Sequence, residues 1–409
     1  MDKLPPEVLL CILSHLDREH LAQYTTVCRG FQFWIETQTF AKINKRIDDV
    51  QQLEEFGTIF ASTRRCYLPR HVQFSIWLPN TPKKHIKGHE PLHVLRARHF
   101  TKVVCGIFEI LQKWNIARSL NAKRPFHLCI QGVPGNRVSS QNAGGHHNNV
   151  GFYGFQVLPS LPFITGLRVD TINILPSTMS MIFEALPHIE DFHWAIDTPR
   201  RSLKHLRVSL RESLATTLLE TNFSHLVYLR IALIDWNQLD GNWETENCVG
   251  LDGKDRLSLA VNRIMKLPNL KKLELHGVFN LSPAIFRLDD EHGNISESLR
   301  DIHLSLSIVT PDGRWYFNCD RGANTVVDEW DLSPRYCLTP TTFDPFVVAM
   351  ARGVTKMPAL KKLYCSFHDA AYLAWFAASA QARACKKYQV GLISISQGPG
   401  YSPRNLLGS

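Results

Sequence analysis

Three evenly spaced histidines are the first residues of this sequence that suggest chemistry. His85, His89 and His93 lie four residues apart, which on a helix would place their imidazoles on one face, where they could bind a metal ion. Gly88 and Pro91 would interrupt that helix, and no carboxylate or thiol completes a ligand set at that spacing. The segment is therefore predicted to be a solvated loop, and the sequence assigns no metal ligand.

Two further polar runs are also predicted to be solvated loops. They are His146-His147, beside a pair of glycines, and the acidic run Asp289–Glu291. The sequence contains no nucleophile elbow, zinc-protease motif, phosphate-binding loop or dinucleotide-binding glycine motif. No nucleophile, base and orienting group can be assembled, so we assign no catalytic residue and no cofactor. The chain is predicted not to be an enzyme, although a pocket lined by perturbed acids or a histidine would reopen that question.

Composition favours a globular protein with reduced thiols. Of the 409 residues, 44% are hydrophobic and 20% charged, and the net charge of +9 is spread along the chain. Such a surface favours acidic partners without indicating nucleic acid. The ten cysteines form no CxxC pair, which argues against a zinc knuckle. The apolar run Val8–Leu13 is too short for a membrane span and lacks a cleavage pattern, so we expect a location in the cytoplasm or nucleus.

The first forty residues carry the strongest pattern. Leu4-Pro5-Pro6-Glu7 is typical of a helix start, because proline is tolerated in a first turn and an acidic residue there suits the helix dipole. Val8, Ile12 and Leu16 then share one helix face. A second helical pattern and an aromatic third segment, Phe31–Ile35, follow. So short a module cannot bury this much apolar surface alone, so a protein interface is predicted.

In order and spacing this region resembles the F-box. The matching residues are Leu4 to Leu9, Ile12 to Asp17, Leu21, Val27 to Arg29 and Phe31. Tyr24 stands where an aliphatic residue is common and Phe31 where tryptophan is common, but both are large and apolar. The resemblance implies a three-helix module that docks on the Skp-type adaptor of cullin–RING ubiquitin ligases. The adaptor-binding residues that it implies are Leu4, Pro5, Val8, Ile12, Leu16 and Val27.

Downstream of residue 45, a weak internal repeat predicts the architecture. Leu267-Pro268-Asn269-Leu270 opens the clearest copy, and the residues that follow alternate as in a strand. Further copies begin at Leu161, Leu186, Phe223 and Met357, and Leu299–Leu304 gives the strand part alone. Helical patterns such as Leu257–Met265 precede several copies, and proline ends each helix before the strand. A repeated helix–turn–strand unit builds a parallel sheet with helices on its outer side.

This pattern resembles an irregular leucine-rich repeat, in which Val278 replaces the usual polar residue of the best copy. The predicted fold class is α/β. A three-helix F-box at residues 1–45 precedes a leucine-rich-repeat-like solenoid at 46–395, a parallel sheet with flanking helices, and a disordered tail at 396–409. The alternative is an α/β domain with recurrent Leu-Pro helix ends. The predicted strands are Val72–Trp77, Phe126–Ile130, Ile164–Val169, Val227–Ile231, Leu270–Leu275, Ile302–Leu306 and Leu360–Cys365. Arg64-Arg65 before the first strand, with Leu78-Pro79 after it, resemble the arrangement in fungal F-box proteins.

Outward-pointing residues of the strands predict where a protein client binds. Because side chains alternate along a strand, the leucines of Leu270–Leu275 point to the core, while Lys272 and Glu274 point out. The equivalent outward residues of two other copies are Tyr228, Arg230, Lys362 and Tyr364. Together they form a surface of cations and aromatic rings that suits an acidic or phosphorylated segment, although exposed lysines on any sheet look alike. The segment Gln131–Gly151, predicted to be a long loop, is the next candidate.

Two functions remain open at the level of sequence. The first is a substrate receptor of a ubiquitin ligase, in which the solenoid holds the client. The second is a non-catalytic repeat scaffold whose N-terminal helices bind another protein without a ubiquitin role. Neither function involves a cofactor, a membrane or nucleic acid, and co-purification with the adaptor would separate the two.

Overall fold

The structure is a computed structural model that describes residues 5–16, 18–79, 91–119, 125–133, 149–199, 202–235, 245–287, 297–318, 337–367 and 395–396. Leu4, His85, His89, the pair His146-His147, the run Asp289–Glu291 and residues 397–409 lie outside this part of the chain, and so do the predictions made for them. Within the described residues, no helix has the length and apolar character that a membrane span requires.

The elements alternate along most of the chain. The helices are α1 (Pro6–Ser14), α2 (Arg29–Phe40), α3 (Val50–Ile59), α4 (Thr63–Cys66), α5 (Leu92–Ser119), α6 (Pro176–Glu184), α7 (Lys204–Glu220), α8 (Arg256–Met265) and α9 (Pro340–Thr355), with 3-10 segments at Arg18–Thr26 and Pro283–Phe286. The strands are β1 (Lys42–Ile47), β2 (His71–Ile76), β3 (His127–Gly132), β4 (Asn149–Val150), β5 (Gly166–Asp170), β6 (Asn173–Ile174), β7 (Asp191–Asp197), β8 (Tyr228–Ile234), β9 (Lys272–Phe279), β10 (Asp301–Leu306), β11 (Phe317–Asn318), β12 (Cys337–Leu338), β13 (Lys362–Phe367) and β14 (Ile395–Ser396).

The chain divides into two compact units, the first made of residues 1–137, 150–172 and 184–189. Its strands β1, β2, β3 and β5 pair in that order, and all are parallel. Helices α3 and α5 contribute to an aromatic core with neighbouring ring centroids 4.9–6.3 Å apart. The core rings are Phe56, Phe60, Phe74, Trp114 and Phe126. Burial of these large rings stabilises the sheet that follows the N-terminal helices.

The second unit comprises residues 138–149, 173–183 and 190–409. Its strands β7, β8, β9, β10 and β13 pair in parallel in that order, and β14 pairs antiparallel with β13. One apolar row crosses four of these strands in register, and its members are at most 3% exposed. The row consists of Leu229, Leu273, Ile302 and Leu363. Helices α7 and α8 lie on this face, since Leu214 and Leu257 line a small cavity together with Leu233 of β8.

The recurrent segment that begins each copy, usually Leu-Pro, forms a hydrogen-bonded turn. In four copies the backbone N–H of the fourth residue donates to the carbonyl oxygen of the first, at 3.1–3.4 Å. The four donors are Ile164, Leu226, Leu270 and Leu360, and all are buried. Because these residues close the turn, the strands begin one or two residues later than predicted. Ile164, Val227, Leu270 and Leu360 therefore lie outside the strands that the sequence assigned to them.

The α/β class and the parallel pairing of the predicted strands are confirmed, whereas several local predictions are wrong. His93 lies in the first turn of α5 and not in a loop. The segment Gln131–Gly151, predicted to be one long loop, begins with the last two residues of strand β3, Gln131 and Gly132, and contains strand β4 near its end. Strand β1 was not predicted, because its sequence Lys-Ile-Asn-Lys-Arg-Ile is rich in basic residues. Such residues are typical of an edge strand, where one backbone edge stays unpaired.

Candidate functional sites

The N-terminal helices enclose a small core. Leu13 of α1 packs with Phe31 and Ile35 of α2, and all three are buried. Leu16, Leu21, Tyr24, Cys28 and Trp34 surround them. Helix α2 begins at a cysteine cap, where the Cys28 sulfur accepts from the backbone N–H of Phe31. One side of α1 is thus covered within the module, and the other side is available to a partner.

That other side is apolar. Val8 and Ile12 on this side are 42% and 39% exposed. Pro5, at the start of α1, and Val27, after the 3-10 segment, are also exposed. Leu16, predicted to share this face, is half-buried and packs against the inner core. A patch of aliphatic side chains on so small a module indicates a protein-binding surface.

Phe33 is an exposed aromatic residue that sequence reasoning did not assign to an interface. Its side chain is 44% exposed, and its ring meets that of Trp34 edge to face with centroids 5.6 Å apart. The helical periodicity of the sequence could have indicated that Phe33 is exposed, since Phe33 lies two residues before the buried Ile35 and therefore on another side of α2. Large exposed aromatic side chains often anchor protein interfaces.

A buried carboxylate connects the N-terminal helices to the rest of the first unit. Glu36 of α2 is 5% exposed. One carboxylate oxygen lies 2.7 Å from Nη2 of Arg64 and the other 3.0 Å from Nη2 of Arg65, both on α4. The amide of Gln32 also donates to Glu36, at 3.2 Å. Both carboxylate oxygens are therefore engaged, which fixes α2 against the segment that leads into β2.

The six residues predicted to bind a client lie together on one polar face, formed by strands β8, β9, β10 and β13 of the second unit. Strand register places Arg230, Glu274 and Tyr364 in one row, with His303 of β10 between the last two. A second row lies two residues earlier in each strand and includes Tyr228, Lys272, Asp301 and Lys362. The leucines between these positions face the opposite, buried side. The predicted alternation is therefore correct for these strands.

Glu274 is the centre of this face, and it is less exposed than the sequence suggested. Only 9% of the residue is accessible, because neighbours surround its carboxylate. The Tyr228 hydroxyl donates at 2.8 Å, Lys272 Nζ lies 2.7 Å away and Arg230 Nε lies 3.6 Å away. The single carboxylate of Glu274 thus lies close to two cations, Lys272 and Arg230, and these three side chains together carry a net positive charge.

The pKa values on this face follow from those contacts. Burial alone would raise the pKa of Glu274, but hydrogen bonds from Lys272 and Tyr228 and the charge of Lys272 lower it to about 2. Burial and the hydrogen bond to Glu274 raise the pKa of the Tyr228 hydroxyl to about 12. Glu274 is therefore a carboxylate and Tyr228 a neutral hydrogen-bond donor at neutral pH.

Two histidines complete the face, and sequence reasoning did not assign them. The ring of His276 lies 4.6 Å from that of His303, which in turn lies 4.3 Å from the ring of Tyr364, all between centroids. Burial, and next the charge of His276, lowers the pKa of His303. The alternation that identified Glu274 also indicates His276 two residues later, so the signal was present in the sequence. His303 occupies the equivalent outward position on β10.

A cavity of about 460 Å³ lies elsewhere in the second unit. Lys254, Arg287 and Arg314 are among its lining residues, together with apolar and hydroxyl side chains. Burial raises the pKa of Asp312 in the lining, but the hydrogen bonds from Arg314 and Thr310 outweigh it and the pKa is lowered. Neither histidine nor cysteine is among the described residues that line this cavity. Asp312 is thus a perturbed acid in the lining, and its ion pair with Arg314 accounts for the lowered pKa.

Comparison with known proteins identifies the N-terminal module. Residues 1–40 match the family model described as F-box-like. No curated protein matches the chain, and no solved structure matches it. The chain therefore carries an F-box-like domain at its N-terminus, and this domain includes the exposed apolar face of α1. F-box domains typically bind Skp-type adaptors, and F-box proteins are generally non-catalytic adaptors of ubiquitin ligases.

Proposed function

We propose that this protein is the substrate-receptor subunit of a Skp–cullin–F-box type ubiquitin ligase. It docks on the Skp-type adaptor through the exposed face of α1 and recruits a protein client through the polar face of the strands in the second unit. The observation that carries the proposal is the F-box-like match at residues 1–40, together with the exposure of Val8, Ile12 and Val27. The leucine-rich-repeat-like and fungal character of the remaining chain, its location in the cytoplasm or nucleus and the domain boundaries at 45 and 395 belong to the same proposal.

The docking part has a thermodynamic basis. Aliphatic side chains that are about 40% exposed still gain free energy when an adaptor covers them, because that burial removes apolar area from water. The inner side of α1 is already filled by Leu13 and Leu16, so the outer side can bind a partner without unfolding the module. Pro5 lies at the margin of this face, at the start of α1.

The client part rests on charge and shape. The face carries Arg230, Lys272 and Lys362 against one buried carboxylate, Glu274, and two acidic neighbours, Asp301 and Asp191 of β7. Side chains of Arg230 and Lys272 remain 41% and 45% exposed although both lie near Glu274. They can therefore bind a second carboxylate or a phosphate without breaking the existing contacts. Tyr228 and Tyr364 add aromatic surface, so an acidic or phosphorylated segment of a protein is the expected client.

Direct reconstitution tests the docking proposal. The purified full chain is mixed with a purified Skp-type adaptor and run on a sizing column with light-scattering detection. We expect one complex with a single copy of each protein. Two separate peaks at concentrations well above micromolar would contradict the proposal and favour a repeat scaffold that binds some other partner.

Client binding is tested by charge reversal. Arg230, Lys272 and Lys362 are changed together to Glu, and the tagged chain is purified from its native cell while the ligase is inhibited. We expect the adaptor to be recovered as with the wild type and the clients to be lost, because three cations of the face become anions. Unchanged recovery of both adaptor and clients would exclude this face and make the segment 131–151 the next candidate.

A charge-matched control separates the local effect from the change in net charge. Lys102 and Lys113 on α5 and Arg352 on α9 are exposed, and changing these three residues to Glu alters the net charge by the same amount. This control should recover the clients at the wild-type level. Equal losses in both triple variants would show that overall charge, and not the polar face, determines client recovery.

A further inference from the structure

The two histidines and the glutamate on the polar face have the arrangement of metal ligands. Glu274 and His276 lie two residues apart on β9 and so point to the same side of the sheet. His303 of β10 lies opposite Glu274 in the strand register. One ligand atom from each of the three side chains lies within 4.8 Å of the others. Two ligands on one strand and a third on its neighbour place three donors around one point in space.

The contacts of Glu274 are divided between the two sides of its strand. Lys272 comes two residues before it on β9, and Tyr228 and Arg230 come from β8. The two imidazoles come from a later position on β9 and from β10. On the carboxylate itself, Lys272 contacts Oε1, whereas Oε2 accepts from the Tyr228 hydroxyl and lies 3.5 Å from His276 Nε2, so a metal ion at this point would replace the direct contact between Glu274 and His276.

One separation between ligand atoms in this cluster matches a transition-metal site. Lys272 Nζ lies 2.7 Å from Oε1 of Glu274, while Oε2 lies 3.5 Å from Nε2 of His276. Two ligands bound to tetrahedral zinc at its usual bond lengths are roughly 3.3 Å apart, close to that separation. The hydrogen bond from Tyr228 and the contact with Lys272 orient the carboxylate, and the edge of the Tyr364 ring packs against His303. Such supporting groups fix ligands in a binding geometry.

We infer that Glu274, His276 and His303 bind a divalent transition metal ion, with zinc the best match to two imidazoles and one carboxylate. Three protein ligands leave a fourth position for water or for a side chain of a bound protein. The positive charges of Lys272 and Arg230 oppose a cation at this distance, so the site is weaker than a structural zinc site. Metal binding stands apart from the ubiquitin role, since it does not require the F-box-like domain.

The experiment uses the full chain after treatment with a chelator and removal of the chelator. Zinc chloride is titrated in a calorimeter, and cobalt chloride in a spectrophotometer, where tetrahedral cobalt absorbs strongly in the visible range. We expect a zinc transition that His276→Asn and His303→Asn each weaken at least about tenfold, as loss of one ligand should. Cobalt absorption should disappear in the same two variants.

A control histidine and a folding check make the result decisive. His205 of α7 is exposed, and His205→Asn should bind zinc as the wild type does. Thermal unfolding without metal should be unchanged in all three variants, which separates loss of a ligand from loss of the fold. No zinc binding by the folded wild type, or zinc binding that survives both His276→Asn and His303→Asn, would overturn the inference. Adaptor binding, measured in parallel, should be the same with and without zinc.

Discussion

Replacing Ile12 by aspartate should disrupt adaptor binding while leaving the free protein folded. Ile12 is 39% exposed and lies in the last turn of α1. In the free chain the new carboxylate keeps contact with water, so no unpaired charge is buried. An acidic residue at the C-terminal end of a helix opposes the helix dipole, at a cost of about 0.5 kcal/mol. The unfolding free energy of Ile12→Asp should therefore fall by no more than about 1 kcal/mol.

The effect on binding should be several times larger. Covering the remaining exposed part of Ile12 is worth about 1 kcal/mol, since full burial of an isoleucine side chain contributes about 2.5 kcal/mol. Burying an unpaired aspartate in an apolar interface costs a further 3 kcal/mol or so. The sum of about 4 kcal/mol corresponds to about a thousandfold increase in Kd. Ile12→Asn should lie between the wild type and Ile12→Asp, because it removes the apolar contact without adding a charge.

Calorimetric titration of the purified adaptor measures Kd, and urea denaturation of the free chain measures stability. Val348 on α9 is the matched control, since it is aliphatic and 44% exposed on a helix far along the chain. Val348→Asp should bind the adaptor as the wild type does. If Ile12→Asp binds within tenfold of the wild type, α1 does not dock on the adaptor. If Val348→Asp weakens binding as much, the loss reflects general damage to the protein.

Two further predictions concern stability. Glu36→Gln should lower the unfolding free energy by about 2 kcal/mol in urea denaturation, because both carboxylate oxygens of this buried residue are bonded to cations. The control Asp48→Asn breaks an exposed ion pair and should cost less than about 0.5 kcal/mol. Equal losses of unfolding free energy in the two variants would contradict the role given to Glu36. Gly277→Ala should lower the unfolding free energy by about 3 kcal/mol or more, since φ is +99° and a β-carbon would collide with the Leu233 carbonyl oxygen. The control Gly253→Ala, at a residue with φ of +72° and open space around it, should lower it by about 1 kcal/mol. Similar melting temperatures for the two variants would refute the argument from the collision.

Local patterns in the sequence were sufficient to predict those parts of the structure that depend on residues close together in the chain. The F-box-like module was recognised from the spacing of residues within one short stretch, which the family match at residues 1–40 confirms. Some of the parallel strands were predicted from a recurrent turn followed by alternating polarity, and the others from the alternation alone. Their first residues were misplaced, since Leu270 and its counterparts close a hydrogen-bonded turn, and alternation alone does not separate a turn residue from a strand residue.

Strand β1 shows a second limit of local reasoning. Its basic residues indicate a solvated segment when read alone, yet it pairs with β2 over six positions. Pairing satisfies the backbone groups of the strand, and that gain depends on a neighbour and not on its own side chains. Similarly, nothing near Glu36 in sequence predicts its two arginine partners, which lie beyond β1 and α3.

The sequence by itself determined which residues of the polar face point outward, because alternation along a strand is a local property. Only the tertiary structure decided which of them meet. Glu274 is surrounded by donors from β8 and β9, and His303 reaches it from β10. These contacts depend on the register between strands that are separated by helices and loops of unequal length. That register is set by the packing of the leucines on the opposite face, so it follows from the folded core and not from the spacing of the polar residues.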